Sequence, residues 1–236
     1  MKIERLNLHN IPAVVWGEPS DKVYIAVHGN LSNKEDTVIQ LLAKHVTNNG
    51  YQLLSFDLPE HGDRKQDHTY LCKVQNCVAD LKQIMDYTKQ RWASISLWAC
   101  SMGAYFALMA YPDESLEQAL LLSPVVDMKA IIDNLMLWSN TTESALKEKQ
   151  EIPTAFGQTL YWDYYCFVKE HPVTSWKCET HILYGKKDTM QTEETIRAFS
   201  RQFYCNLTVL DGAEHFFHTE QQLQEYETWL ERVIMD

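Results

Sequence analysis

One hydroxyl group in this chain lies in a setting that could make it a nucleophile. Ser101 stands in the stretch 97–104, LWACSMGA, with small residues, Ala99 and Gly103, two positions to either side. A β-prone apolar run enters this stretch and a helix-prone apolar run, Ala104–Tyr111, leaves it. This A-x-S-x-G form, with alanine in place of the commoner first glycine, predicts a tight strand-to-helix turn that exposes the serine at its tip.

The turn alone would do no chemistry, because a serine is a weak nucleophile at neutral pH. It needs an adjacent base, a group that orients the base, and donors for the oxyanion that develops during attack. A buried strand, a glycine turn and a core helix would produce the same short pattern, and such patterns recur by chance. The rest of the chain must therefore supply the missing groups.

An acid and a base follow two later apolar runs. Asp188 comes just after the run 182–185, ILYG, and His215 comes just after the run 207–210, LTVL. Both runs predict short buried strands. The order along the chain is therefore Ser, Asp, His, with each side chain on a loop at the end of a strand.

The elements that must position these groups alternate between buried strands and amphipathic helices. This alternation predicts an α/β fold with a mostly parallel, doubly wound sheet and helices on both faces. Two opening strands, Ile3–Leu8 and Ala13–Trp16, predict an antiparallel portion. Helical spacing predicts a helix within Asn33–Asn49, capped by Asn33 or Ser32, and a last helix over Glu220–Met235.

This order and placement resemble the α/β-hydrolase superfamily. The resemblance extends over nearly the whole chain. It includes His28-Gly29 after an early strand and the stretch 57–62, DLPEHG, which is similar to the family's D-x-P-x-x-G turn. Each match is weak alone, whereas five matches in order at strand ends are strong.

The resemblance implies a role for each of the three groups. Ser101 would be the nucleophile and His215 the general base. Asp188 would hold the imidazole in the tautomer that accepts the serine proton and would stabilise the cation that forms. A competing base, His218, lies in a polar loop, and the family's G-x-x-H pattern favours His215. A competing acid, Asp211, lies too close in sequence to His215 to approach its ring from the neighbouring strand end.

The resemblance also places the oxyanion hole on two backbone N–H groups. One belongs to Met102, the residue after the nucleophile, and the other to Asn30, with Leu31 as the next candidate if the turn is shifted. His28 is expected to brace this turn, and Asp57 to satisfy backbone donors of its loop. His61 is expected to be a loop residue.

One long stretch interrupts the alternation. Residues 127–178 contain helical patterns but no clear strand, and they divide the chain into a first core part, 1–126, an inserted cap, 127–178, and a second core part, 179–236. The insertion leaves a strand's carboxyl end, where open α/β sheets bind ligands. Its aromatic residues are Phe156, Tyr161, Trp162, Tyr164, Tyr165 and Phe167. We expect a substrate wall from Tyr161, Trp162, Tyr164 and Tyr165, with at least half of these packing the cap instead.

The composition of the chain disfavours several classes of binding partner. The 236 residues suit one α/β domain, and a net charge of -11 disfavours nucleic acid or an anionic membrane, which need basic patches. No apolar run is long enough to cross a bilayer, and Met1–Arg5 lacks the apolar core of a secretion signal. No metal-binding or nucleotide-binding motif is evident, so neither a metal nor another cofactor is expected.

The six cysteines show neither a C-x-x-C pair nor zinc-like spacing. We expect free thiols and a cytoplasmic protein. Cys100, beside Ser101, is expected to turn its side chain into the protein.

Three functions remain open from the sequence. The first is a serine hydrolase that cleaves a small carboxylic ester or thioester through an acyl-enzyme. The second is other chemistry on the same fold, such as a peptidase, a C–C bond hydrolase or a lyase. The third is a binding protein without turnover, which is disfavoured because all three groups are present.

Overall fold

The computed structural model describes residues 1–155 and 157–234. Its strands are β1 (Ile3–Leu8), β2 (Ile11–Trp16), β3 (Lys22–Val27), β4 (Gln52–Phe56), β5 (Ser94–Cys100), β6 (Ala119–Leu122), β7 (Glu151–Pro153), β8 (Thr159–Tyr161), β9 (Thr180–Gly185) and β10 (Asn206–Leu210). Its helices are α1 (Thr37–Asn48), α2 (Val74–Arg91), α3 (Met102–Ala110), α4 (Met128–Trp138), α5 (Glu143–Lys149), α6 (Trp162–Glu170), α7 (Glu193–Gln202) and α8 (Glu220–Val233), with a 3-10 turn over Gly62–Arg64.

Eight strands form one sheet in the order β1-β2-β4-β3-β5-β6-β9-β10. The pairs β1–β2 and β2–β4 are antiparallel, and every later pair in this sheet is parallel. The mostly parallel sheet and its antiparallel opening are thus confirmed. Strands β3, β5, β9 and β10 all end at the same edge of the sheet, which is where a ligand binds in open α/β folds.

Helices cover both faces of the sheet, as the sequence predicts. In β5, Leu97 and Trp98 point to opposite faces and belong to different clusters of buried side chains. The Leu97 cluster is covered by α2, α3 and α7, and the Trp98 cluster by α1 and α8. Both side chains are fully buried, which explains why the central strands are continuous apolar runs rather than alternating ones.

The segment between β6 and β9 contains a feature that the sequence analysis missed. Strands β7 and β8 pair antiparallel, from Glu151 opposite Tyr161 to Pro153 opposite Thr159. The expectation that 127–178 has no strand is therefore wrong. Each strand is three residues long, which is too short to show a period of two. Phe156 lies outside the described residues.

Two helix ends differ from their predicted positions. The N-cap of α1 is Asp36, whose carboxylate accepts a hydrogen bond from the N–H of Thr37, whereas Asn33 and Ser32 were the predicted caps. The Asn33 side chain instead accepts from the N–H of Glu35. Helix α8 begins at Glu220 as predicted, and Met235 lies outside the described residues. In the part of the chain that the structure describes, no helix is long and apolar enough to cross a membrane.

Candidate active site

Ser101 stands alone between β5 and α3 in a backbone conformation that side chains other than glycine rarely adopt. Its φ is 51° and its ψ is -123°. Such a conformation costs on the order of 1–3 kcal/mol and persists only where the surroundings hold it. The Ser101 N–H donates to the carbonyl of Leu122 at 3.0 Å, and its carbonyl accepts from the N–H of Val125 at 3.0 Å. These bonds to the end of β6 fix the turn and expose the hydroxyl.

Gly103, two residues after Ser101, is required because α3 packs closely against the end of β3. A Cβ on Gly103 would overlap the backbone carbonyls of His28 and Val27, at the end of β3. Helix α3 therefore approaches the neighbouring strand more closely than any side chain would permit. This contact explains the small residue after the serine, whereas Ala99 on the other side is fully buried with its methyl group accommodated.

The structure brings together the three predicted side chains. Ser101 Oγ lies 2.7 Å from His215 Nε2, and His215 Nδ1 lies 2.6 Å from Asp188 Oδ2. A carboxylate only accepts hydrogen bonds, so Nδ1 carries the proton and Nε2 of the neutral ring accepts from the serine hydroxyl. The Asp188 side chain is fully buried, and His215 is partly exposed.

The second oxygen of Asp188 is also occupied. Asp188 Oδ1 accepts hydrogen bonds from the N–H groups of Met190 at 2.7 Å and Gln191 at 3.2 Å. One oxygen therefore anchors the carboxylate to its own loop, and the other faces the imidazole. A buried carboxylate is stable only with such partners.

The loop after β9, which carries Asp188, packs closely against the loop after β10, which carries His215. A Cβ on Gly185 would lie 2.5 Å from the carbonyls of both Ala213 and Glu214, which immediately precede His215. The N–H of Lys187 donates to the carbonyl of Ala213 at 2.9 Å. Because Gly185 permits this approach, the two loops set the distance between Asp188 and His215.

The competing acid and base lie elsewhere. His218 is exposed, stacks on Phe216 and has Nδ1 2.8 Å from the carbonyl of Phe216. Asp211 is exposed and pairs with Lys186, which holds the pKa of its carboxyl below the usual value. Neither side chain joins the hydrogen-bonded chain of Ser101, His215 and Asp188.

The two predicted oxyanion donors are Met102, which follows Ser101 in the chain, and Asn30, which follows Gly29, whose backbone lies close to the Ser101 side chain. Met102 is the first residue of α3, so its N–H has no carbonyl partner within the helix. Asn30 follows His28-Gly29 at the end of β3, and its side-chain Oδ1 lies 3.2 Å from His61 Nε2. Leu31, the alternative donor, has a φ of 59° and is 90% exposed.

The His28 ring fixes the peptide group that carries the Asn30 N–H. His28 Nε2 accepts from the N–H of Leu58 at 3.0 Å, so Nδ1 carries the ring proton and donates to the Gly29 carbonyl at 2.7 Å. The carbonyl and the N–H of one trans peptide point in opposite directions. Holding the Gly29 carbonyl therefore also sets the direction of the Asn30 N–H, and the predicted bracing by His28 has a physical basis.

Because His28 is buried, we expect the free energy of unfolding to depend on pH. Loss of hydration lowers the pKa of the His28 ring from 6.5 to about 4, despite its bond to the Gly29 carbonyl. The unfolded chain therefore binds a proton between pH 6.5 and 4 that the native chain does not. The stability contributed by neutral His28 is complete above pH 6.5, and about 2 to 3 kcal/mol of it is lost as the pH falls to 4.5.

Urea unfolding at pH 7 and pH 4.5 measures this effect against the variant His28→Gln. The wild type should lose about 2 to 3 kcal/mol more than the variant between these two pH values. Equal losses for both proteins would show that His28 protonates as readily in the native state as in the unfolded one. The difference between the proteins cancels contributions from the other titrating groups.

Asp57 accepts hydrogen bonds from backbone N–H groups of the nearby loops, which is the role predicted for it. Its two carboxylate oxygens accept from the N–H groups of Lys34 and Asp63, each at 2.9 Å. The Lys34 ammonium reaches Asp57 at 2.6 Å and Asp63 at 2.8 Å. A buried charge pair of this kind joins the loops after β3 and β4, and removing one partner typically costs about 3–5 kcal/mol.

His61 is more than a loop residue. Its ring is buried, with Nδ1 2.8 Å from the carbonyl of Pro59 and Nε2 3.2 Å from Asn30 Oδ1. The sequence offered no signal for this bond, because it joins two loops that only the fold brings together. His61 thus connects the loop after β4 to a predicted oxyanion residue.

The aromatic residues of the insertion make contacts within it and with the segment before α2. Lys73 Nζ lies 4.3 Å from the centre of the Tyr161 ring, and the Trp162 and Tyr165 rings are 5.9 Å apart. Tyr165 is buried, and its hydroxyl donates to Glu143 at 3.1 Å. The Tyr164 hydroxyl is buried and has no hydrogen-bond partner among the described residues. Their contact with a substrate stays a prediction.

Cys100 places its sulfur against the Trp98 cluster, and burial raises the pKa of its thiol to about 12. The thiol beside Ser101 therefore stays protonated near neutral pH.

This chain is similar to known proteins both in sequence and in structure. A family model described as Serine aminopeptidase, S33 (Hydrolase_4) matches residues 18–158, which is more than half of the chain. No curated protein matches the sequence.

Solved structures with the same fold are numerous. Est1E from Butyrivibrio proteoclasticus, solved with ferulic acid bound, is 18% identical with a TM-score of 0.78, over 98% of this chain and 99% of that chain. A putative hydrolase from Agrobacterium vitis S4 is 16% identical with a TM-score of 0.79, over 99% of both chains. An esterase from Pyrococcus furiosus is 18% identical with a TM-score of 0.71, over 98% of this chain and 89% of that chain. At these identities the likeness concerns the fold alone.

The family match and the fold agree. The residues that match the family model include the Ser101 turn. The structural similarity also extends over the later strands, which are followed by Asp188 and His215. The chain belongs to the serine aminopeptidase S33 family of α/β-hydrolases.

Proposed function

We propose that this protein is a serine hydrolase that cleaves a carboxylic ester or thioester of a small substrate through an acyl-enzyme. The observation that carries the proposal is the continuous hydrogen-bonded chain from Ser101 Oγ to His215 at 2.7 Å and on to Asp188 at 2.6 Å. The strained Ser101 backbone supports it, because strain of this kind collects at functional sites.

The first half of the reaction uses each of these groups in turn. Ser101 Oγ attacks the substrate carbonyl carbon while His215 Nε2 takes the hydroxyl proton. Asp188, which holds the Nδ1 proton, stabilises the imidazolium that forms. The N–H groups of Met102 and Asn30 would hold the oxyanion of the tetrahedral intermediate. His215 then gives its proton to the leaving alcohol or thiol, and an acyl group remains on Ser101.

Water completes the cycle by the same steps in reverse order. His215 removes a proton from a water molecule, which attacks the acyl carbonyl, and Ser101 is released when its oxygen takes that proton back. The described residues therefore include a base for these steps, His215, and a carboxylate that orients it, Asp188. They also include two candidate oxyanion donors, Met102 and Asn30. We propose that the insertion, 127–178, covers the cleft as a cap and that Tyr161, Trp162 and Tyr165 contribute to its wall.

Two similarities point to different substrates. The Est1E structure contains ferulic acid and the Pyrococcus furiosus protein is named an esterase, which favours ester cleavage. The family description names an aminopeptidase, which makes amide cleavage at a chain terminus the second candidate. Both reactions use the same nucleophile, base and acid, so only substrates can separate them.

A matched pair of chromogenic substrates separates the two candidates. We expect 4-nitrophenyl acetate and butyrate to be hydrolysed with an initial burst of nitrophenol, because this good leaving group makes acylation faster than hydrolysis of the acyl-enzyme. The kcat/KM for alanine 4-nitroanilide should be well below the values for the esters. A larger kcat/KM for the anilide would favour the aminopeptidase, and turnover of none of these substrates would contradict both candidates.

A further inference from the structure

Two cysteines in contact lie outside the chain of Ser101, His215 and Asp188. Cys72 Sγ and Cys77 Sγ are 3.7 Å apart, although the sequence shows no C-x-x-C motif at this place. Cys72 lies just before Lys73, the N-cap of α2, and Cys77 lies in the first turns of that helix. Side chains at these two positions commonly touch across a helix start. Cys77 is fully buried, and Cys72 is partly exposed.

The surroundings of Cys72 favour its thiolate. The contact with the Cys77 thiol and the proximity of the His61 ring lower the pKa of the Cys72 thiol to about 6, against the opposing effect of burial. Burial and the proximity of Cys72 raise the pKa of Cys77 well above its usual value. The pair thus consists of a thiol that ionises readily, on a partly exposed residue, and a protonated thiol in contact with it, as in redox-active cysteine pairs.

His61 joins this pair to the loop beside Ser101. Burial alone would lower the pKa of the His61 ring, but the proximity of the Cys72 thiolate raises it above its usual value. Both ring nitrogens face acceptors, with Nδ1 near the Pro59 carbonyl and Nε2 near Asn30 Oδ1. A ring with acceptors at both nitrogens is best satisfied as the imidazolium.

We propose that Cys72 and Cys77 form a reversible oxidation site, at which a hydroperoxide converts the two thiols to a disulfide. The two sulfurs lie 3.7 Å apart, and a disulfide bond requires them to approach to about 2 Å. Formation of this disulfide does not depend on the proposed function.

The chemistry proceeds in two balanced steps. The Cys72 thiolate attacks the peroxide O–O bond, which breaks to leave a sulfenic acid on Cys72 and release hydroxide, or alkoxide from an organic peroxide. The Cys77 sulfur then attacks the Cys72 sulfur, the S–O bond breaks, and the departing hydroxide combines with the Cys77 proton as water. Cys72 and Cys77 are together oxidised by two electrons, and the peroxide is reduced. The charge that opposed ionisation of Cys77 is absent once Cys72 is a neutral sulfenic acid.

Peptide mass spectrometry tests the disulfide directly. Trypsin cleaves after Lys73, so a disulfide between Cys72 and Cys77 links the peptide 66–73 to the peptide 74–82. We expect this linked pair after treatment of the folded wild type with hydrogen peroxide, and its loss after dithiothreitol. Cys166→Ser, which removes another partly exposed thiol, should still form it. Sulfinic acid on Cys72 without a linked pair, or no reaction at either cysteine, would overturn the proposal.

Discussion

Replacing Ser101 by alanine should lower kcat/KM for a nitrophenyl ester by about 10⁴- to 10⁶-fold, because the variant has no atom that can attack the carbonyl. The donors of Met102 and Asn30 would remain, so any residual rate would come from polarisation of the substrate for attack by water. The variant should fold normally. Alanine and serine differ by a hydroxyl whose hydrogen bond is to His215, and alanine bears the positive φ of 51° as serine does.

Ser123→Ala is the matched control for this variant. Ser123 also has a positive φ, of 43°, follows the neighbouring strand β6 and is fully buried. Its hydroxyl has no hydrogen-bond partner among the described residues. The control should retain wild-type kcat/KM, and thermal unfolding should show both variants folded at 25 °C. A Ser101→Ala variant within tenfold of the wild type would remove Ser101 from the mechanism.

Replacing Asp188 by asparagine should lower kcat/KM by about 10⁴-fold, through the tautomer of His215. The N–H groups of Met190 and Gln191 need an acceptor, so the asparagine carbonyl should take the place of Oδ1. Its NH₂ group would then face His215 Nδ1 and donate to it. With Nδ1 acting as acceptor, the ring proton moves to Nε2, which can no longer accept the proton of Ser101.

Asp211→Asn is the control for the acid. Asp211 is the other acidic residue near His215 in sequence, and it is exposed and paired with Lys186. Its amide variant should retain the wild-type kcat/KM, measured with the same nitrophenyl ester. If Asp211→Asn lost as much activity as Asp188→Asn, or if Asp188→Asn kept more than a tenth of the wild-type value, Asp188 would not be the residue that orients His215.

The parts of the structure that the sequence predicts best depend on local pattern. The continuous apolar runs of β3 and β5 indicate strands buried on both faces, and the residues that follow them lie at the expected edge of the sheet. Small residues around Ser101 indicate the tight turn, because few side chains fit there. The order of Ser101, Asp188 and His215 and their places after strands were therefore predictable.

Other features depend on contacts that no local pattern contains. The cap of α1 is Asp36 rather than Asn33 because the loop before the helix carries a turn around Asn33. The two short strands β7 and β8 stabilise each other and leave no periodicity. Polar partners joined across the fold, such as His61 and Asn30, come from loops that follow different strands. Their pairing requires the order of strands in the sheet.

The contact between Cys72 and Cys77 depends partly on local sequence and partly on the fold. The two residues are five apart at a helix start, so their proximity follows from the position of the N-cap. A spacing of five residues matches neither a metal site nor a C-x-x-C motif, so the sequence pattern gives no signal for this pair. The proximity of the His61 ring, which favours the Cys72 thiolate, depends on the folded loops.

The proposed mechanism requires the Ser101 hydroxyl of the folded protein to be a nucleophile activated by His215. Labelling with a fluorophosphonate, followed by intact mass and peptide mapping, tests this requirement without knowledge of the natural substrate. We expect one covalent adduct, located on Ser101, that forms in the wild type and is lost in the Ser101→Ala variant and in heat-unfolded protein. No adduct on the folded wild type, or an adduct on a different residue, would contradict it.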